Sequence, residues 1–482
     1  MKKIVFVVVY LVFSNVFGQD CSCEENFNWM KKTFEENDAG FQFSVEQKGK
    51  AAYEKHNELF LEKVKNITDL EECADALYDW LLFFRKGHIS VNIHQDNSAG
   101  SPLATPIKTV NWEQYTVTDK EFGKYLSKVK QPSFEGIWKV EPYTVGIVKK
   151  GEVYIGFIID APGTDWKRGQ VKFRFNASEH GSGYSGTFYM RNFSANSVNR
   201  VKLIGNNFLQ LDNFLLHRVN PVSEDSKAVK HYIELMKAQT PLIKQYSDNT
   251  IVLRIPSFDG SQKKAIDSLL NVYHDKITST PNLVIDIRGN GGGSDSSYSG
   301  ITPYLYTNPI RIVTLEMLST PLNNQRMEGF LSDEGISEKE REDIKADLKK
   351  LNAKLGKFVN LFEQEVFTLT LDSVYTYPKN VAILTNKYNG STAEQFLLAA
   401  KQSVKTKLFG TTTMGVLDIS NMHFVTSPCG KIQLGYCLSK SLRIPDMAID
   451  DKGIQPDYYL DNSIPDYEWV EFAEKTFSEH KK

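Results

Sequence analysis

The segment Val284-Ile-Asp-Ile-Arg-Gly-Asn-Gly-Gly-Gly293 constrains this chain more than any other. Its β-branched start reads as a buried strand. The strand then runs into four glycines, which let the backbone turn sharply and bring its N–H groups close to a partner. A turn of that kind suits a phosphate or a developing oxyanion, and a plain tight turn is the structural alternative. The dinucleotide fingerprint fails, because Gly289 and Gly291 are followed by Ser294, and no Gly-Lys-Ser/Thr follows. No nucleotide cofactor is therefore expected.

Around that segment the pattern alternates between strand and helix. Thr250–Ile255 leads to a helix over 261–277, Leu283–Ile287 to the glycine turn, and Val381–Thr385 to a helix over 392–403. Such alternation predicts an α/β sheet with crossovers. Residues 322–360 read as a charged helical insertion with a solvated face; an insertion between core strands can also act as a lid. Upstream, 24–86 reads as helical, with Phe60, Val64 and Ile67, then Leu77, Trp80, Leu81, Phe83 and Phe84, at helical spacing. Residues 135–220 switch to short strands broken by clusters such as Ala161-Pro-Gly-Thr164, an antiparallel meander or small barrel. At roughly 150 residues per domain, the 482 residues suggest two or three domains. The expected boundaries are a signal peptide over 1–18, an N-terminal helical region over 19–130, the β meander or barrel over 131–222 and the α/β core over 223–462.

Lys2 and Lys3 precede an apolar run from Ile4 to Phe13, followed by Ser14-Asn-Val-Phe-Gly18. This is the pattern of a secretory signal peptide cut near Gly18, so the expected location is secreted or periplasmic. Asp20 before Cys21 speaks against a lipid anchor. No apolar run reaches the ~18 residues of a membrane span, so no stable membrane insertion is expected once the signal is removed. The net charge of −2 argues against nucleic acid as a partner, which needs a clustered basic surface. The five cysteines lack zinc-ligand spacing, and no metal is expected. Export favours disulfides. Cys429 and Cys437 flank an alternating segment and are expected to pair across a hairpin; Cys73 pairs with Cys21 or Cys23, leaving one thiol over.

Two further pieces carry chemistry. Asn389-Gly-Ser-Thr-Ala-Glu394 stands at a strand-to-helix turn, where Ser391 can expose its hydroxyl. The same residues also fit a capping box, Ser391 as N-cap and Glu394 returning to it. A serine nucleophile needs a base. Of nine histidines, His56, His231, His274 and His480 sit on charged helical stretches. His94, His180, His217 and His423 lack a companion motif. His88, in Arg85-Lys-Gly-His-Ile-Ser90, follows a glycine where a helix gives way to an extended segment.

Together these pieces resemble, in order and context, the serine peptidases of the C-terminal processing (tail-specific) and tricorn-core family. Arg254-Ile-Pro-Ser-Phe258, the 284–293 segment, Ser391-Thr-Ala-Glu394 and Gly453-Ile-Gln-Pro-Asp457 match its landmarks. The resemblance implies a crotonase/ClpP-like α/β core. It implies Ser391 as nucleophile and an oxyanion hole from the Thr392 N–H with a glycine of 291–293, Gly291 or Gly292 foremost. The Ser–Lys branch places lysine after the glycine of Gly410-Thr-Thr-Thr-Met-Gly415. Val416 stands there, which points to the tricorn-like branch, with His88 as base. The acid before Gly-Ile-x-Pro-Asp is Asp450 or Asp451; alternation along Met447-Ala-Ile-Asp450 favours Asp450. The 131–222 region stands in place of the PDZ domain of many relatives. The implied function is an exported serine endopeptidase acting on peptides or proteins, without cofactor, an oligomer being compatible with it. A non-catalytic ligand- or peptide-binding protein on the same fold is the alternative.

Overall fold

A computed structural model describes residues 21–94, 112–178, 183–333 and 335–479. The expected signal peptide, His180 and His480 lie outside them. Two compact units form, one from the N-terminal part to Asp96 together with Thr240–Tyr459, the other from Asn97–Gln239 together with Leu460–Lys482.

The first unit contains a six-stranded sheet in the order Leu242–Ser247, Thr250–Arg254, Asn282–Asp286, Asn380–Thr385, Thr406–Gly410 and Tyr458–Tyr459. The first pair is antiparallel and the rest are parallel. Every residue of Thr250–Arg254 and Asn282–Asp286 is buried, as parallel strands covered on both faces require. Helices Lys263–Val272 and Thr392–Ala400 supply cover, with Ile266, Leu270, Phe396 and Leu397 in the core. In register, Arg254 lies beside Asp286 and Asp286 beside Leu384. The turns that follow these strands therefore emerge side by side at the carboxyl edge, where open α/β sheets build their sites.

A five-stranded sheet completes this unit. Its long strand Ile432–Ser441 pairs with Ile419–Thr426 on one side, and on the other with Ser90–Ile93 and Leu315–Leu318, the latter also pairing Phe358–Val359. Helices Cys23–Asn37, Phe41–Lys48, Lys50–Val64 and Leu70–Leu81 form the expected helical region. Phe27, Phe34, Leu77 and Trp80 share a core with Leu434 and Tyr436 of the long strand. The 322–360 region holds helices Pro321–Phe330 and Glu338–Asn352, the second burying only Leu348 and Leu351.

The cysteine expectation is half corrected. Cys23 and Cys73 form the disulfide, and Cys429 and Cys437 are both thiols. The reason is the strand itself. Residues 432–441 are one continuous strand rather than a hairpin, with Cys429 in the turn before it and Cys437 opposite Met422 well along it. At about 3.3 Å per residue the two are far beyond the ~7 Å Cα separation that a bridge allows. The Cys429 thiol instead donates to Asn26 Oδ1 at 3.3 Å.

The second unit holds a nine-stranded antiparallel sheet. Six strands between Gly136 and Val198 follow one another as a meander, then Phe214–Asn220 pairs back onto Gly136–Val140 and is followed by Phe208–Leu211 and Val201–Ile204. Trp138, Ile147, Phe173, Phe175 and Leu209 fill its core. Lys172 is buried among them, its amine 4.0 Å from the Trp166 ring centroid and 4.2 Å from that of Tyr143.

Candidate active site

The glycine turn rests on a buried charge cluster. Asp286, wholly buried, takes Arg288 Nε at 3.0 Å and Nη2 at 2.6 Å. Arg254 Nη1 donates to the Arg288 carbonyl at 2.8 Å. Burial raises the Asp286 pKa, but Arg288 and Arg254 outweigh it and hold the carboxyl below its usual value. Two asparagines shape the turn above. Asn290 Oδ1 accepts the N–H of Phe258 and of Gly292, at 3.3 and 2.9 Å. Asn389 Nδ2 donates to the carbonyls of Ile287 and Asn290, tying the glycine turn to the turn that bears Ser391.

Gly292 has φ +108°, and a Cβ there would stand 2.8 Å from the Ser391 Cβ and 2.9 Å from the Thr392 nitrogen. Only glycine leaves that space open. Its own N–H is taken by Asn290, so the expectation that Gly292 donates to an oxyanion is corrected: the asparagine consumes the donor to set the turn. The N–H groups of Gly291, Gly293 and Thr392 meet no acceptor among the described residues, and Thr392 Oγ1 donates to the Gly293 carbonyl at 3.0 Å.

Ser391 precedes helix Thr392–Ala400 with φ +55° and ψ −127°, and its side chain makes no cap bond. The expected capping box is absent. Glu394 turns away and accepts the Thr413 hydroxyl, the Gly415 N–H at 2.8 Å and the Val416 N–H at 2.8 Å. Burial raises its pKa. This bracing fixes Val416, whose carbonyl accepts the Ser391 N–H at 3.0 Å. The Val416 side chain fills the spaces over two glycines: Cβ atoms built on Gly87 and Gly390 would fall 2.2 Å and 2.7 Å from its methyls. The residue in the lysine position of the other branch is thus the packing piece between the segment ending in His88 and the turn bearing Ser391.

His88 has φ +54°. Its Nδ1 lies 2.7 Å from the Ile419 carbonyl. A carbonyl only accepts, so Nδ1 carries the proton and Nε2 keeps a lone pair, the state a general base requires. The expected contact with Asp450 is not the one made. Asp450 Oδ1 accepts the N–H groups of Leu417 and Asp418 at 2.6 and 2.7 Å, and Oδ2 that of Ile419 at 3.1 Å. Asp418 answers by accepting the N–H groups of Ile449 and Asp450, at 2.5 and 2.9 Å. The two segments grip each other, and the carboxylate holds the N–H of the residue whose carbonyl meets His88. Asp451, exposed and at φ +62°, lies in the following turn. Sequence reasoning missed the Ile419 carbonyl, which no side-chain pattern displays. It also missed the two asparagines, although both stood inside quoted motifs next to glycines. Among the described residues no cluster of His, Cys, Asp and Glu could hold a metal, and no helix is long and apolar enough to cross a membrane.

The family model of Peptidase family S41 matches residues 249–460. Among solved structures, mature CPAF superposes with a TM-score of 0.50 at 13% identity, covering 94% of this chain and 96% of its own. The photosystem II D1 C-terminal processing protease gives 0.39 at 12%, covering 93% and 96%. The tricorn protease gives 0.39 at 11%, covering 95% of this chain and 37% of its own. Curated proteins gave no match.

Proposed function

We propose, from the match of residues 249–460 to Peptidase family S41, that this chain is an exported serine endopeptidase in which Ser391 is the nucleophile and His88 the base. Ser391 Oγ attacks the scissile carbonyl and its proton passes to His88 Nε2. The same proton then goes to the leaving amine as the C–N bond breaks, and water releases the acyl group by the reverse sequence. The N–H of Thr392, with that of Gly291 or Gly293, faces the developing oxyanion. The observation that carries this reading is Val416, which accepts the Ser391 N–H and packs on Gly87 beside His88.

The third member is the carbonyl of Ile419, a residue whose N–H is held by Asp450. It fixes the tautomer as a carboxylate would, and leaves the imidazolium charge to be balanced at one remove. Export is supported by the Lys2-Lys3 start and by the Cys23–Cys73 disulfide, since such bonds persist in oxidising compartments. The antiparallel unit in place of a PDZ domain supports selection of substrate by something other than its C-terminal carboxylate. A fluorophosphonate probe tests the assignment. The wild-type chain is expected to be labelled on Ser391 and the Ser391→Ala variant not at all. Equal labelling of both refutes the nucleophile, and an unlabelled wild type leaves the non-catalytic binding reading.

A further inference from the structure

The main chain that carries His88 is held by a buried charge pair for which the reaction above has no use. Arg85 and Asp38 are both buried. Arg85 Nη1 and Nη2 donate to the two oxygens of Asp38 at 2.7 and 2.5 Å. The guanidinium also turns the other way: Nε donates to the Gly87 carbonyl and Nη2 to the His88 carbonyl, each at 3.1 Å. Asp38 is anchored in turn by the N–H groups of Gly40 and Cys437, at 2.9 and 3.0 Å. His88 holds a left-handed φ, which persists in a residue with a Cβ only where the surroundings over-determine it. An ion pair that served stability alone would need its carboxylate and nothing more. This fork is divided between the carboxylate and both peptide carbonyls flanking the base, a geometry that arginine spans and lysine does not.

We propose that Arg85, clamped by Asp38, is the positioning residue of His88: it fixes the Gly87 and His88 peptides so that Nδ1 meets the Ile419 carbonyl and Nε2 stays open. This rests on His88 being the base. Its charge has a second effect. Burial chiefly lowers the His88 pKa, the Ile419 bond opposes that, and the nearby guanidinium lowers it further, so the ring stays neutral between turnovers. The other ionisable groups around it are the Cys437 thiol, 3.3 Å from the His88 carbonyl, Asp450 and Asp418 behind Ile419, and Glu394 behind Val416.

The test replaces both charges together, Arg85→Met with Asp38→Leu, so that neither is left buried alone. Labelling of Ser391 by the fluorophosphonate is followed against pH, and the His88 ring is titrated by NMR. At pH 7 the labelling rate is expected to fall about 100-fold, as for a catalytic group displaced by about 1 Å. Probe affinity is expected to be unchanged, and the acid limb should move up toward the ordinary histidine value of ~6.5. Arg85→Lys, which keeps the charge without the fork, should lose rate and keep the limb. A folded double variant with the wild-type rate and limb overturns the proposal. Should the double variant not fold, an unimpaired Arg85→Lys overturns it. If the wild type itself is not labelled, the Ser391–His88 reading fails separately, and an unmoved NMR titration in the double variant then removes the hold of Arg85 on the ring as well.

Discussion

Ser391 occupies a backbone conformation, φ +55° and ψ −127°, that glycine adopts freely and serine does not. Strain of this kind costs on the order of 1–3 kcal/mol and marks functional positions. Ser391→Gly is therefore expected to raise stability by about 1 kcal/mol while abolishing probe labelling. Thermal unfolding decides it, since a lower Tm would mean that the hydroxyl holds the fold. His88 gives a pH prediction. Its folded pKa lies below the ordinary ~6.5, so the folded state binds fewer protons than the unfolded chain in the interval between the two values. Stability from this group is complete above ~6.5 and is lost as pH falls through the folded pKa. The neutral ring is also the proposed base, so the labelling rate should be flat above ~6.5 and fall along a single acid limb below it. A limb at pH 8 would assign the proton to another group. The glycines, Ser391 and His88 were legible because side-chain type and spacing announce them. The Ile419 carbonyl and the Gly292 N–H, which goes to Asn290, were not, because every residue has such groups and only the fold says where they point.

The segments 417–419 and 449–450 interlock through two aspartates. Asp450→Asn replaces an oxygen by an amide that cannot accept an N–H, and leaves at least one of three donors unmatched. A lost buried acceptor costs about 1–3 kcal/mol, and the main chain at Ile419 loses the bond that holds it. Turnover should drop at least tenfold with a modest fall in Tm. Asp451→Asn should do neither, because its side chain is exposed and asparagine tolerates its positive φ. If Asp451→Asn is the damaging variant, the bracing role of Asp450 is wrong. Helices and strands of this unit followed apolar periodicity closely, since burial on both faces of Asn282–Asp286 and Asn380–Thr385 leaves little choice of period. Pairing between distant elements was less legible. The alternation over 430–436 was real, but from Ile432 onward it belongs to a ten-residue strand that pairs with the preceding Ile419–Thr426 and also with Ser90–Ile93 and Leu315–Leu318, which are remote in sequence. A capping-box spacing at Ser391–Glu394 likewise misled, because the positive φ of Ser391 turns the pattern away from its usual partners.

The two units differ in how their buried charges are met. In the first, Asp286, Asp38 and Asp418 each face an arginine. In the second, Lys172 has no carboxylate partner among the described residues; its amine donates to the Met190 carbonyl at 3.2 Å. Ring faces favour the ammonium, but burial prevails and draws the pKa down to about 7 from 10.5. The unfolded chain then binds the proton at a pH where the folded unit does not. Stability of this unit should rise with pH from about 7 to about 10.5. Lys172→Met should flatten that slope and add about 1–2 kcal/mol near neutrality, as chemical denaturation at several pH values would read. An unchanged slope would show that the amine stays charged. One arrangement reaches beyond energetics. The unit that holds both His88 and Ser391 is assembled from two stretches of chain, up to Asp96 and Thr240–Tyr459, and the residues between them belong elsewhere. A ribosome delivers His88 some three hundred residues ahead of Ser391, and Ser90–Ile93 waits for Ile432–Ser441 before it has a neighbour to pair with. Until that strand is made the segment after His88 has no sheet to join, so the order of translation delays the proposed site to the last part of synthesis.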